Sequence, residues 1–538
     1  MDRPLRDCGL LHNRESPLAG EQVACPLKHS ESPLDRSGEV RGATLREVNA
    51  GQSATRSLPL EILGHVFMFA CPSVNILREN EEEIDWQLES RVPTSEQNPY
   101  FAVALSSLST HWRAAALSAV SLWTSMELEV QEVKLRQQIA ILCLYLSHAK
   151  NVPFSLKLSF TEQRKADCDT QRSLQSPLPT FSPQHLRDLI CPEIGLDPLR
   201  HLIFIESAEK FGTLYLHSAP PEWLASISPS LSKLEHIVLW WNHNDSGPVP
   251  RFIGADLGGL SRLRSISISK IPTIRPIPSS VTAVYLQQVP ADVCAQILVE
   301  CPHLVELICS YPAGTGLWHL PPPVWLRQPL VCERLTHFGW TSLIFGGWER
   351  AIMQHVRLPV LEHLEWGPWN TDADVMLQLF FHNLGNTLIS LALDNSSISD
   401  PASLDAIFNC TPNLQYLRFS HVMDTVLPVL FWTLTPEQPS SSTPFPYLEE
   451  VGLVDIFGQE NVSQTHLCEI FLEFVQAWRL RGMDYFVLDI WNYDFEWSPE
   501  VCRELVDIVE DGFDLSIFQD DKEVQWLSRS PTPSSPLS

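Results

Sequence analysis

The chain has 538 residues, 44% of them hydrophobic, and its 64 acidic against 37 basic residues give a formal net charge of -27. That length supports a large buried core, in two or more domains or one long repeat array, and excludes a chain disordered throughout. With no Lys/Arg-rich block to offset the acidity, a phosphate backbone is repelled and nucleic acid is excluded as a partner; the same field favours a basic partner surface, although such acidity also serves solubility alone.

Residues 1–55 mix charges, Gly, Ser and Pro without a sustained period and are expected to form a disordered leader. A helical module is expected over 56–125. Leu58-Pro59-Leu60-Glu61-Ile62-Leu63 opens its first helix, with Pro at the first position and Glu61 in the first turn beside the positive dipole end. The stripe Ile62, Leu63, Val66, Phe67, Ala70 is expected on one face, ended by Pro72. A second helix starts at Asn98-Pro99 and sets Phe101, Leu105, Leu108, Trp112 and Ala115 on one side before Ser121-Leu122-Trp123. Between the two, residues 73–97 form an acidic insertion containing Glu79, Glu81, Glu82, Glu83 and Asp85, read as a solvated loop that also stands where it can tune docking. So few helical residues cannot bury every apolar stripe in one another. The surplus is covered either by the following domain or by another chain.

Leu58-Pro59-x-Glu61-Ile62-Leu63-x-x-Val66-Phe67, followed by Leu108-Ser109-x-x-Trp112-Arg113-x-x-Ala116 and Leu122-Trp123, resembles the F-box motif, especially the F-box-like form common in mushroom-forming fungi. The resemblance covers under a fifth of the chain, and the acidic insertion is longer than the F-box usually has. It implies that Leu58, Pro59, Ile62, Leu63, Val66 and Phe67 contact a Skp-type adaptor, while Leu108, Trp112 and Trp123 build the module's own core.

From about residue 126 to 525 a unit of the form apolar-x-x-apolar-x-apolar recurs. It reads Leu234-x-x-Ile237-x-Leu239, Leu263-x-x-Ile266-x-Ile268, Val281-x-x-Val284-x-Leu286, Leu361-x-x-Leu364-x-Trp366 and Leu388-x-x-Leu391-x-Leu393. It continues in Leu414-x-x-Leu417-x-Phe419, Leu448-x-x-Val451-x-Leu453 and Met483-x-x-Phe486-x-Leu488. Weaker copies begin at Trp123, Phe211 and Leu335. The starts are commonly about 20 to 30 residues apart, close to the period of leucine-rich repeats. The second half of each unit alternates with period two, as a strand with one buried face does. Helical stretches precede some units, as in Ala295–Cys301 before Pro302-His303-Leu304 and Asp405–Cys410 before Thr411-Pro412-Asn413-Leu414. This resembles the Cys-x-Pro-x-Leu junction of irregular eukaryotic repeats. The expected fold class is α/β: an F-box-like helical module followed by a leucine-rich-repeat solenoid, an arc or horseshoe with a parallel inner sheet. Pro439–Pro444 is a loop, and residues 526–538 form a disordered Ser/Pro tail whose Ser-Pro and Thr-Pro pairs are common in tails.

The alternate strand positions face away from the core. Trp240, His363, Glu365, Tyr416, Arg418 and Tyr485 are candidates for gripping a target protein, since Trp, Tyr and Arg dominate interface hot spots. Trp366 is read as core.

No phosphate loop, paired-His helix, Gly-x-Ser-x-Gly elbow or kinase set occurs, so neither an enzyme nor a cofactor is expected. Gly314-Thr315-Gly316 lacks dinucleotide spacing, and Trp241-Asn242-His243-Asn244-Asp245 reads as a turn. Cys294, Cys301 and Cys309 are expected on separated faces, which disfavours a metal; the 13 scattered cysteines read as free thiols of a reducing compartment. The longest apolar run, near Ile139–Leu146, is shorter than the roughly 18 residues of a membrane helix, so no membrane contact and a cytoplasmic and/or nuclear location are expected, which makes the glycosylation triplet Asn461-Val462-Ser463 a chance match. The resemblance implies a substrate-recognition subunit of a Skp–cullin–F-box ubiquitin ligase, linked through the adaptor to a cullin. The alternatives are a non-ligase repeat scaffold with an F-box-like cap and an enzyme whose site forms only on folding.

Overall fold

In the Leu-x-x-Leu-x-Leu unit the first leucine ends a turn and the next two lie on one face of a strand, so local pattern dictates a turn followed by a short, one-sided strand. The computed structural model of the chain describes residues 54–71, 100–160, 196–220, 223–224, 227, 230–241, 254–271, 273–274, 276–312, 329–342, 347–367, 380–382, 384, 386–394, 401–421, 424–435, 447–456, 464–480, 485–491, 495–520 and 522–524. The leader up to residue 53, the acidic insertion, the second-helix start at Asn98-Pro99, Pro439–Pro444, Asn461–Ser463, Met483, the residues after Trp241 in its turn, Gly314–Gly316 and the Ser/Pro tail lie outside the described residues.

The fold is mixed α/β around one large sheet. Its strands in chain order are β1 (Ser125–Val130), β2 (Phe154–Phe160), β3 (Phe211–His217), β4 (His236–Trp240), β5 (Ser265–Ser269), β6 (Ala283–Gln287), β7 (Glu306–Ser310) and β8 (His337–Thr341). They continue as β9 (His363–Gly367), β10 (Ser390–Asp394), β11 (Tyr416–Ser420), β12 (Glu450–Val454), β13 (Tyr485–Trp491), β14 (Asp514–Gln519) and β15 (Lys522–Glu523). Each strand pairs with its chain neighbours and the sheet does not close into a barrel. All neighbours are parallel until the last pair, β14 and β15, which is antiparallel. A two-residue, charged strand at that end leaves little edge for another chain to add to.

Register aligns the leucine positions across the whole sheet. One row runs Leu156, Leu214, Ile237, Ile266, Val284, Leu307, Phe338, Leu364, Leu391, Leu417, Val451 and Leu488, every member buried. The strands are entered alike: Leu234, Leu263, Leu304 and Leu414 each return their N–H to the carbonyl three residues back, at 3.0 to 3.2 Å. Trp366 is buried between Phe338 and Phe380, as core.

Three strands belong to units that the repeat pattern passes over: β2, β7 and β14. The repeat junctions behave as read, with the helices Ala291–Glu300 and Pro401–Cys410 ending just before their strands. Cys294 and Cys309 overturn the expected separation: they meet in the core, and burial together with that contact holds the Cys309 thiol well up. Every described cysteine is free.

The helical module packs on the β1 end. It consists of α1 (Leu60–Ala70), α2 (Phe101–Leu108), α3 (Thr110–Ser118) and a 3-10 turn, Val120–Trp123. The sequence reads α2 and α3 as one helix; Ser109 breaks it with extended backbone and caps α3 by accepting the Trp112 N–H at 3.1 Å. Trp123 is buried, donates its indole N–H to the Ala116 carbonyl at 2.7 Å, and stacks its edge on Tyr145 of the next helix, α4 (Leu135–His148).

One carboxylate is built into the core. Glu349, fully buried on the helix Gly347–His355, accepts the Trp340 indole N–H at 3.0 Å and the Ser342 hydroxyl at 2.9 Å. Glu349→Ala leaves the buried Trp340 donor without its acceptor and should lower stability by about 2 kcal/mol, with Glu349→Gln losing less, as measured by denaturant unfolding.

Candidate functional site

Helix α1 carries apolar residues on two sides, not one. Leu63 and Phe67 are buried, Phe67 with its ring 4.8 Å from that of Trp112, whose indole N–H donates to Thr55 at 2.9 Å. The opposite side presents Ile62 at 49%, Val66 at 50% and Phe69 at 91% exposure, an i, i+4, i+7 stripe, with Pro59 exposed one turn before it. The expected single stripe of Ile62, Leu63, Val66 and Phe67 is thus divided between core and surface. Leu58 is half-buried, and its carbonyl faces His111 Nε2 at 3.2 Å. Leu108, expected as core, is 65% exposed because the break at Ser109 ends α2 at that residue. Phe69 escaped the sequence reading although its spacing from Ile62 and Val66 placed it on their side.

On the sheet's second face, opposite the leucine row, the described residues range from buried, as Val238 and Tyr215 are, to exposed, as Tyr416 and Arg418 are. On β3 and β4, Tyr215, Val238 and Trp240 form a small apolar patch, with Lys157 over the Tyr215 ring and paired to Glu127 at 3.3 Å. Trp240 therefore sits apart from the other candidates, which gather on β9 to β13. Register sets Glu306, His337, His363, Ser390, Tyr416 and Glu450 in one row. Ile308, Gly339, Glu365, Ala392, Arg418 and Gly452 form the next. His337 and His363 stack with centroids 4.1 Å apart. Tyr416 and Tyr485 are partly exposed, and a hydrogen bond to Glu449 pushes the Tyr485 hydroxyl up to about 12.

A third line runs along the strand exits. Ser218, Lys270, Gln288, Tyr311, His421 and Asp455 each follow a strand with φ near +50° to +63°. Each donates its N–H to the carbonyl that ends the next strand, as His421 does to Val454 at 3.0 Å and Asp455 to Trp491 at 3.0 Å. This left-handed corner costs a non-glycine residue about 1 kcal/mol or more, offset by that hydrogen bond. It turns the chain so that the next residue, as with Ala219, Ile271, Val289 and Ile456, re-enters the core, and leaves the corner residue itself at the strand's exit. There His421 shares a hydrogen bond of 2.8 Å between Nδ1 and Asp394 Oδ1 and holds Nε2 at 3.3 Å, ion-pair distance, from Asp455 Oδ2. The Tyr311 hydroxyl lies 3.5 Å from Asp394 Oδ2. Sequence reasoning missed this cluster because its members lie on four separate units.

The electrostatics of the open face are strained. Burial pushes the Glu365 carboxyl above its ordinary value, Arg418 opposes this, and Asp394 and Glu306 add to it. Burial lowers His363, and neighbouring His337 lowers it further. Burial and Asp489 raise Glu450. Among the described residues no group of His, Cys, Asp or Glu is placed to hold a metal ion, and no helix is long and apolar enough to cross a membrane. The arrangement offers binding surfaces: an apolar stripe on α1 and a face of aromatics and carboxylates on the sheet.

Two outcomes follow. His421→Ala leaves Asp394 and Asp455 facing one another at the sheet edge and should cost about 3 kcal/mol in unfolding experiments. Glu365 holds its proton more tightly folded than unfolded, so its ionised form costs stability at neutral pH and nothing below its ordinary 4.5. Glu365→Gln should therefore unfold later than wild type near pH 7, the gap closing as pH falls through the carboxylate range.

Comparison with protein-family models finds none that matches the chain, and a search of curated proteins likewise finds no match.

Proposed function

We propose that the chain is the substrate-recognition subunit of a Skp–cullin–F-box ubiquitin ligase, docking a Skp-type adaptor through α1 and holding a target protein on the open face of a leucine-rich-repeat solenoid. The observation that carries this reading is the two-sided α1. One side is anchored by Phe67 against Trp112, while Pro59, Ile62, Val66 and Phe69 present an apolar stripe that the described residues leave uncovered. A soluble chain retains such a stripe when another chain covers it. The stripe contains three of the six positions that the F-box resemblance carries over as adaptor contacts, and Leu63 and Phe67 support it from behind. The solenoid reading draws on the strand order, which follows chain order throughout, and on the aligned leucine row. Such a protein supplies no catalytic group; it raises the local concentration of target lysines beside a charged conjugating enzyme.

Co-purification with a Skp-type adaptor tests the assignment. Ile62→Asp combined with Val66→Asp should abolish adaptor capture by at least about tenfold while leaving the unfolding midpoint unchanged, since burying either carboxylate at a docked apolar interface is costly. Phe67→Ala should instead destabilise the module by about 3 kcal/mol. No adaptor capture by the wild-type chain leaves the alternative of a non-ligase repeat scaffold with an F-box-like cap.

A further inference from the structure

We infer that Glu365 is the anchor of a cation-binding point on the open face, built to receive a lysine or arginine side chain of the partner protein. This rests on the reading of that face as the target-binding surface and names the chemistry it selects. Glu365 stands near the middle of its row, partly buried in the face, and among the described residues it makes no hydrogen bond or ion pair. Its carboxylate lies over Gly339: a Cβ there would stand 3.3 Å from Glu365 Oε2 and 3.1 Å from Ile308 Cγ2, a tight contact that glycine avoids. On the other side its register neighbour is Ala392, whose methyl leaves the carboxylate unobstructed. The next strand carries Arg418, exposed, with Cγ beside Gly452 and, among the described residues, without an ion pair. Opposite charges thus stand on strands two apart, about 10 Å between backbones, with a methyl floor between them, and Arg418 favours the ionised carboxylate without closing an ion pair on it.

The surroundings favour a cation over other occupants. Arg418 offsets the effect of burial on this carboxylate only in part, Asp394 on one side and Glu306 on the other add to that effect, and an incoming positive charge relieves all three carboxylates. The stacked His337 and His363 rings, the latter biased toward its neutral form, wall the site with aromatic surface that a guanidinium or the stem of a lysine can lie against. The chain as a whole, at -27, draws a basic segment toward this face.

The test uses the full chain and fluorescent nonapeptides that alternate arginine or lysine with glycine and serine, read by anisotropy at about 0.15 M salt. Glu365→Gln should weaken binding at least about tenfold, and Ala392→Arg, which sets an internal guanidinium beside the carboxylate, should do the same. Glu473→Gln removes an equal charge from an exposed helical position and should change affinity less than about twofold. Equal losses at Glu365 and Glu473 would mean that net charge alone attracts the peptide, and either this or unchanged binding in both face variants overturns the inference. Adaptor capture is indifferent to these substitutions, so failure here and failure of the ligase reading are told apart. Retained or raised thermal stability of Glu365→Gln excludes misfolding as the cause of lost binding.

Discussion

The structure depends on one constraint: a short strand with a single leucine-rich face cannot hide that face alone. Each unit lays its strand parallel to the last, in the register that joins Leu364 to Leu391 to Leu417, and the main-chain hydrogen bonds and the apolar row then reinforce each other. A slip of one residue would turn a whole leucine row to solvent, so register is strongly specified. Everything else on the sheet is placed by default. The positions between the leucines must face outward, and residues more than twenty positions apart in sequence, such as Glu365 and Arg418, become members of one line.

That constraint has a cost at the strand exits. To leave a parallel strand and return toward the start of the next, the backbone takes a left-handed residue, and here the corners are Ser, Lys, Gln, Tyr, His and Asp, not glycine. The hydrogen bond from each corner N–H to the next strand offsets the strain. Two of these corners, His421 and Asp455, meet Asp394, the last residue of its strand, in a charged clamp that joins units through side chains where the leucine row joins them through burial.

Glu365 represents the opposite solution. The clamp carboxylates have a partner, whereas Glu365 lies partly buried beside like charges, and Arg418 offsets its burial only in part. Local rules of stability argue against such a group, which is why it points to recognition. The α1 stripe has the same character, since Ile62 and Val66 leave half their surface, and Phe69 nearly all of it, uncovered by the described residues.

Much of the sheet was legible, because alternation with period two is a property of five or six neighbouring residues. The missed strands show the limit. β7 carries Cys309 where the pattern wants a leucine, β14 follows Gly512 in the first apolar place, and β2 follows Pro153 in that place, so each departs at one position while keeping the inward pair. Ser109 was an available cap signal, yet the apolar spacing through Leu108 and Trp112 read as unbroken helix because periodicity does not register a break that preserves phase.

What the amino-acid order determined by itself was the set of strands, the turns before them and the existence of a helical module, since each is decided by contacts a few residues long. Only the tertiary structure decided which side of α1 is covered, that Leu108 faces solvent, that Cys294 meets Cys309, and that Glu365 stands between a glycine and an alanine with Arg418 on the strand beyond. Those outcomes are set by which units lie side by side and in what register, and no local pattern carries that information.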